Sequence, residues 1–180
     1  MATRLALPLI LLFGAAANAE TYQADRSNYQ RIARQLEAGD TMAFLADDYT
    51  EGIVLEGLQG RADAWIVLRG PDSGPQARLL GHGSRNTIEI RGCAYLAIEN
   101  LTIDGQDIDG IFAISASSRP SHDVRVENCT IVGHGAHQAT VAISTKATTW
   151  NWIFRGNRIV GAGTGMYLGD SDGNHPFIAG

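Results

Sequence analysis

The chain has 180 residues, 44 % of them hydrophobic and 18 % charged, with 21 Gly, 5 Pro and 2 Cys. That balance excludes a disordered chain, a collagen and a disulfide-stapled miniprotein, and it fits one domain. Lys and Arg total 14 against 19 Asp and Glu, a net charge of −5; generic nucleic-acid or anionic-membrane binding is not expected, because neutralising phosphates takes a basic surface.

In chain order, residues 1–19 come first. Arg4 precedes an apolar stretch from Leu5 to Ala17, and the segment closes with the small-x-small triplet Ala17-Asn18-Ala19. This is the pattern of a secretory signal peptide, and the apolar run is shorter than the ~20 residues a membrane span needs. The expected mature protein is therefore periplasmic or secreted, with no membrane contact after cleavage. Residues 20–40 form an N-terminal segment with one predicted helix, Ser27 to Ala38. Ser27 and Gln30 make a capping box, Ile32, Ala33 and Leu36 share a face, and Gly39 ends the helix. Residues 41–180 read as strand and turn throughout. Short strands are predicted at Thr41 to Ala46, Gly52 to Leu55, Ala64 to Arg69, Thr87 to Arg91, Ile111 to Ser115, Thr140 to Thr145 and Gly165 to Gly169.

A repeat organises these strands. The segments Leu96 to Gly105, Val124 to Gly133 and Trp152 to Gly161 align at one constant offset, with apolar columns at 96/124/152, 98/126/154 and 103/131/159. A period of this size made only of strands and turns describes one coil of a solenoid, which buries its inner face by stacking on its neighbours. Unchanged chain direction in every copy predicts parallel pairing, with Leu96, Val124 and Trp152 in one inward file. A β-sandwich also has regularly spaced strands, but it does not require matching columns. Asn100 and Asn128 fall at the bend between two walls, where left-handed backbone is expected, and are predicted to stack as an internal asparagine ladder. The same residues open Asn-x-Thr glycosylation patterns. Cys93 and Cys129 sit at different points of the coil, so two buried thiols are expected in preference to a disulfide. Glu99, Glu127 and Arg155 form an outward column.

The stretch from Leu36 to Ala46, with Gly39-Asp40-Thr41 at its centre, followed by Tyr49-Thr50-Glu51-Gly52-Ile53, resembles the opening of pectate-lyase-like proteins, in particular their chondroitinase-B-like and alginate-lyase-like members. The resemblance covers residues 27–180. It implies an all-β, right-handed parallel β-helix with an N-terminal capping helix. It also implies a substrate class, acidic polysaccharide, and a reaction, β-elimination. In that family the outer wall supplies Arg or Lys as base, and carboxylates in many members hold Ca²⁺. The family's coils run on to a capping element, whereas this sequence ends at His175 to Gly180 directly after a strand. The expectation is an N-terminal fragment, or edge-to-edge self-association through an uncovered strand.

The candidate catalytic residues are Lys146, Arg125 and Arg158. Lys146 follows a strand and faces outward, although a lysine must shed its proton before it acts as a base; Arg125 and Arg158 are positioned to contact carboxylates. Hard oxygen ligands on Gly-containing turns suit Ca²⁺, and Asp170 and Asp172 are the candidate ligands, with the Asp104 to Gly110 turn read as the weaker alternative. His134 and His137 lack further zinc ligands at recognised spacing and read as loop residues. The alternative function is a non-catalytic carbohydrate-binding or cell-surface β-helix.

Overall fold

The computed structural model describes residues 19–169. Residues 1–18 of the leader, the Asp170 and Asp172 pair and the segment from His175 to Gly180 lie outside the described residues. Within them, strands stack in parallel into three walls of a right-handed β-helix. Sheet A runs β1 (Thr21–Ala24), β2 (Thr41–Phe44), β5 (Ile66–Arg69), β8 (Ala94–Glu99), β11 (Ser121–Glu127) and β14 (Thr149–Arg155). Sheet B runs β3 (Asp48–Tyr49), β6 (Arg78–Leu80), β9 (Thr102–Asp104), β12 (Thr130–His134) and β15 (Arg158–Ala162). Sheet C runs β4 (Ile53–Glu56), β7 (Ile88–Arg91), β10 (Ile114–Ala116), β13 (Val141–Thr145) and β16 (Thr164–Leu168). No helix among the described residues is long and apolar enough to cross a membrane.

The predicted inward file is present: Leu96 pairs with Val124 and Val124 with Trp152. A second file on sheet A runs Met42, Leu68, Ile98, Val126, Phe154. Sheet B contributes Tyr49, Leu79, Ile103, Ile131, Ile159, and sheet C contributes Ile53, Ile88, Ile114, Ile143. Most of these side chains are fully buried, and each contributes about 1.5–3 kcal/mol. The files are a direct product of strand alternation, because in-register parallel pairing puts like positions on top of one another.

The N-terminal cap differs from the sequence expectation. Helix α1 covers only Tyr29–Ala33, and its N-cap is Asn28 without a side-chain capping bond. Asp25 takes over the turn: its Oδ1 accepts from the Ser27 amide at 2.8 Å, the Ser27 hydroxyl at 2.6 Å and the Asn28 amide at 3.1 Å. These donors, the Ser27 hydroxyl first, hold the Asp25 carboxyl below the usual range. Gln30 does not reach back but donates to the Gly52 carbonyl at 2.6 Å. The short helix still buries Tyr29, Ile32 and Ala33. Tyr29 packs edge-on against Tyr49, and Tyr49 against Phe44, which closes the first coil.

The bend between sheets A and B also departs in part. Asn100 and Asn128 are left-handed, each with φ of 55°, as expected, but their side chains turn outward; Asn100 Nδ2 donates to Asp72 Oδ1 at 2.7 Å. The inward position is the next residue, occupied by Leu101, Cys129 and Asn157 in successive coils. Only Asn157 makes a ladder-type contact, accepting from the Cys129 amide at 2.9 Å and donating to the Val126 carbonyl at 2.7 Å. The third copy has Gly156 at the bend, φ 65°, where a Cβ would collide with Asn128 Oδ1. Both cysteines are free and buried, as expected.

Candidate functional site

Outward positions of a β-helix normally meet solvent, but sheet C breaks that rule. Its outward file is Val54, Glu89, Ser115, Ser144, Tyr167, and three of these are buried: Glu89 6 % exposed, Ser115 1 %, Ser144 0 %. The Ser115 and Ser144 hydroxyls have no hydrogen-bond partner among the described residues. Lys146 follows the end of β13 beside them, and its Nζ lies 4.3 Å from the centre of the Phe112 ring, ahead of β10. That contact has the geometry of an ammonium group over a ring face, and it seats the Lys146 side chain on the wall.

Glu89 is the floor of an open cleft of about 380 Å³ between the loops Gly83 to Asn86 and Asp109 to Ile111. Its carboxylate accepts from Asn86 Nδ2 at 2.6 Å and from the Ser117 hydroxyl. Arg91 Nε lies 3.6 Å from Glu89 Oε1 and makes no hydrogen bond. Asn86 is itself held, its Oδ1 accepting from the Phe112 amide at 2.9 Å. Arg85 and Arg91 line the same cleft, and Arg119 is paired with Glu56 at 2.5 Å. Lys146 stands two strands further along the wall, about 10 Å at the ~4.8 Å strand spacing. Lys146 and Arg85 have no acidic partner among the described residues. The wall thus offers cations to an anionic ligand while the one buried carboxylate is occupied by Arg91 and two neutral donors.

The three candidate catalytic residues do not converge. Lys146 is on sheet C, Arg125 is in β11 on sheet A, and Arg158 is in β15 on sheet B, exposed and in the outward file with Thr130 and Thr102. One centre cannot hold all three. Of the histidines, His134 is fully buried at the end of β12, with Nδ1 3.3 Å from the Ile111 carbonyl oxygen, and burial pushes its pKa down. His137 Nδ1 accepts from the Ala139 amide at 3.1 Å. Asp104 is committed to Arg78 at 2.8 Å and to the Gln106 amide at 2.9 Å. Among the described residues no three His, Cys, Asp or Glu side chains converge as a metal site requires. Sequence reading misses Glu89, Asn86, Arg85 and Arg91. The available signal is Ile88-Glu89-Ile90, a lone acid alternating with two core residues.

No protein-family model matches the sequence, and no curated protein matches it. Solved structures do match in fold. One is a mannuronic acid specific polysaccharide family 6 lyase from human gut microbiota, with TM-score 0.50 and 14 % identity over 74 % of this chain and 33 % of that one. Another is the alginate lyase from Paenibacillus sp. str. FPU-7, with TM-score 0.53 and 15 % identity over 78 % of this chain and 58 % of that one. The fold is the pectate-lyase-like parallel β-helix. The chain spans about a third of the first neighbour's length and somewhat over half of the second's.

Proposed function

We propose that the protein is an exported lyase, or the N-terminal part of one, that cleaves uronate-containing polysaccharide by β-elimination, with the outer wall of sheet C as the face that receives the sugar. One observation carries the reading: Arg85, Arg91 and Lys146 share a wall whose outward polar groups, Glu89, Ser115 and Ser144, are buried at a cost to stability. The structural neighbours, both polysaccharide lyases, support the choice of reaction.

In this reaction a base takes the proton beside the uronate carboxylate, a C=C bond forms, the glycosidic C–O bond at the β-carbon breaks, and the leaving oxygen takes up a proton. The carbanion-like transition state needs its carboxylate neutralised. A guanidinium fork suits that task, because its donors match a carboxylate in pairs. Glu89 orients Arg91, and Lys146 supplies a second fixed charge along the wall. Calcium binding by Asp170 and Asp172 belongs to the same proposal.

Incubation with polymannuronate, polyguluronate, pectate and chondroitin sulfate, read by ultraviolet absorbance of the unsaturated product, tests the reading. Product from at least one polymer is expected, falling at least ~10-fold in Arg91→Ala and Lys146→Ala, about 1.4 kcal/mol of transition-state stabilisation. A chelator added to the same assay reads out the calcium component. A second reading, a non-catalytic carbohydrate-binding β-helix, is favoured by the seating of Lys146 on Phe112. Saturable binding without product from any polymer selects it and overturns the lyase.

A further inference from the structure

The outer face of sheet A carries a feature that the sheet C wall does not use. Trp65, Tyr95, His122 and Trp150 come from four successive windings and touch in file. Trp65 meets Tyr95 edge-on with ring centres 5.5 Å apart, Tyr95 meets His122 edge-on at 5.8 Å, and His122 stacks on Trp150 at 4.4 Å. The file spans about 14 Å along the solenoid axis at three strand spacings of ~4.8 Å. All four side chains remain partly exposed.

Arg125 lies beside this file. It pairs in register with Ala97, and the small alanine leaves room for its stem to run back until Cζ sits 3.8 Å from the centre of the Trp65 ring. Ala97 is 2 % exposed on a face where solvent is otherwise near. The other arginines of sheet A's outer face are spent: Arg69 pairs with Glu99 at 2.8 Å and Arg155 with Glu127 at 3.5 Å. Among the described residues Arg125 has no acidic partner, and its Nε is buried without a hydrogen-bond partner. Asp123, two residues before it in β11, is engaged by His122 Nδ1 at 2.6 Å and by Asn151 Nδ2 at 3.3 Å. The backbone here is also strained. Tyr95, Asp123 and Asn151 occupy one column with φ of 51°, 51° and 55°, and a tyrosine in that region is held at a cost that the surrounding fold must offset.

We propose that this face is a second polysaccharide-binding surface, on which Arg125 takes a uronate carboxylate and the ring file takes the sugar chain lying along the solenoid axis. The occupant is an anionic sugar polymer because the one cation left unbalanced on the face, among the described residues, is a stacked guanidinium, a planar fork already ordered for a carboxylate. Aromatic side chains beside it offer apolar rings with polar tips, the amphipathic surface a pyranose presents in turn. The inference rests on the uronate reading of the substrate and extends it to a wall remote from sheet C.

The test is titration of the full chain with polymannuronate and with neutral dextran, following tryptophan fluorescence, for the wild type, Arg125→Gln, Arg125→Lys and Lys146→Ala. Quenching by polymannuronate and not by dextran is expected. Affinity should fall about 10-fold in Arg125→Gln, as for loss of a charge-assisted contact. Arg125→Lys should restore part of it, and the quenching should persist in Lys146→Ala. Arg125→Gln binding that matches the wild type overturns the surface, as does quenching that depends on Lys146 alone. Equal response to dextran overturns the anionic assignment. Thermal unfolding of each variant distinguishes a merely structural ring stack, which lowers stability and leaves affinity unchanged. Failure of the lyase reading shows as absent product with Arg125-dependent quenching intact; failure of this inference shows as product formed with no dependence of quenching on Arg125.

Discussion

The outer faces of sheets A and C are built on the same stacked coil, yet they treat charge in opposite ways. On sheet A, Arg69 and Arg155 are neutralised by Glu99 and Glu127 along the stack, so the arginines stay wet and the pairs add little beyond cross-strand complementarity. On sheet C, Glu89 is sunk below a cleft and two serine hydroxyls are sealed without partners among the described residues. Desolvated polar groups cost stability, and a fold that retains them on its outside is holding them for another use. Paired exposed charges therefore mark scaffold, and stranded or buried ones mark the faces where ligands are proposed. Arg125 is the point at which sheet A departs from its own pattern.

Both faces depend on one interior, so the largest perturbation should strike them together. Leu96→Ala opens a cavity in the shared file and is expected to cost about 2–5 kcal/mol, measured by urea unfolding. The next experiment separates the faces. Glu89→Ala strands Asn86, Ser117 and Arg91 and should cost about 1–3 kcal/mol, whereas Glu99→Ala on sheet A should cost only about 0.2–1 kcal/mol. Equal losses would erase the contrast. His134, buried behind sheet C's loops, supplies a pH test. Burial favours its neutral form, so the unfolded chain takes up the proton more readily. Stability should be full above pH ~6.5 and decline as pH falls through that value toward the lower folded one. The slope should flatten in His134→Gln. The smallest effect carries the opposite sign: Ser144→Ala removes an unpartnered hydroxyl and should be neutral or stabilising by about a few tenths of a kcal/mol, read as a rise in Tm.

The fold is legible wherever coil length is constant. Leu96, Val124 and Trp152 recur at equal spacing because the turns that separate β8, β11 and β14 are matched in length. Val67 pairs with Thr41 on one side and with Ala97 on the other, and the second separation along the chain is longer than the first; such unequal turns hide the first coils from any fixed-period alignment. The helix is overdrawn in sequence because Leu36 and Ala38 continue its apolar spacing and are buried; their burial comes from turns, with Asp40 accepting from the Glu37 amide at 2.8 Å. For Asn100 and Asn128 the backbone expectation holds and the side-chain direction does not, since a left-handed residue at a tight corner faces out and its successor faces in. The site is less legible for the same reason as the early coils. Glu89, Ser115 and Ser144 share one file, but the loop from Ile88 to its partner Ile114 is shorter than that from Ile114 to Ile143, so their common register emerges only after folding. Lys146 is visible as a lone cation after a strand; the ring that seats it, Phe112, is not.

The two thiols give two successive windings a reporter each. Cys93 opens the coil of β8 and Cys129 that of β12, and burial raises both, the second to about 11. A buried protonated sulfur does not alkylate, so the speed with which a maleimide reaches each one counts how often its stretch of solenoid breathes. Comparing the two rates would show whether the stack frays from one end or parts all at once.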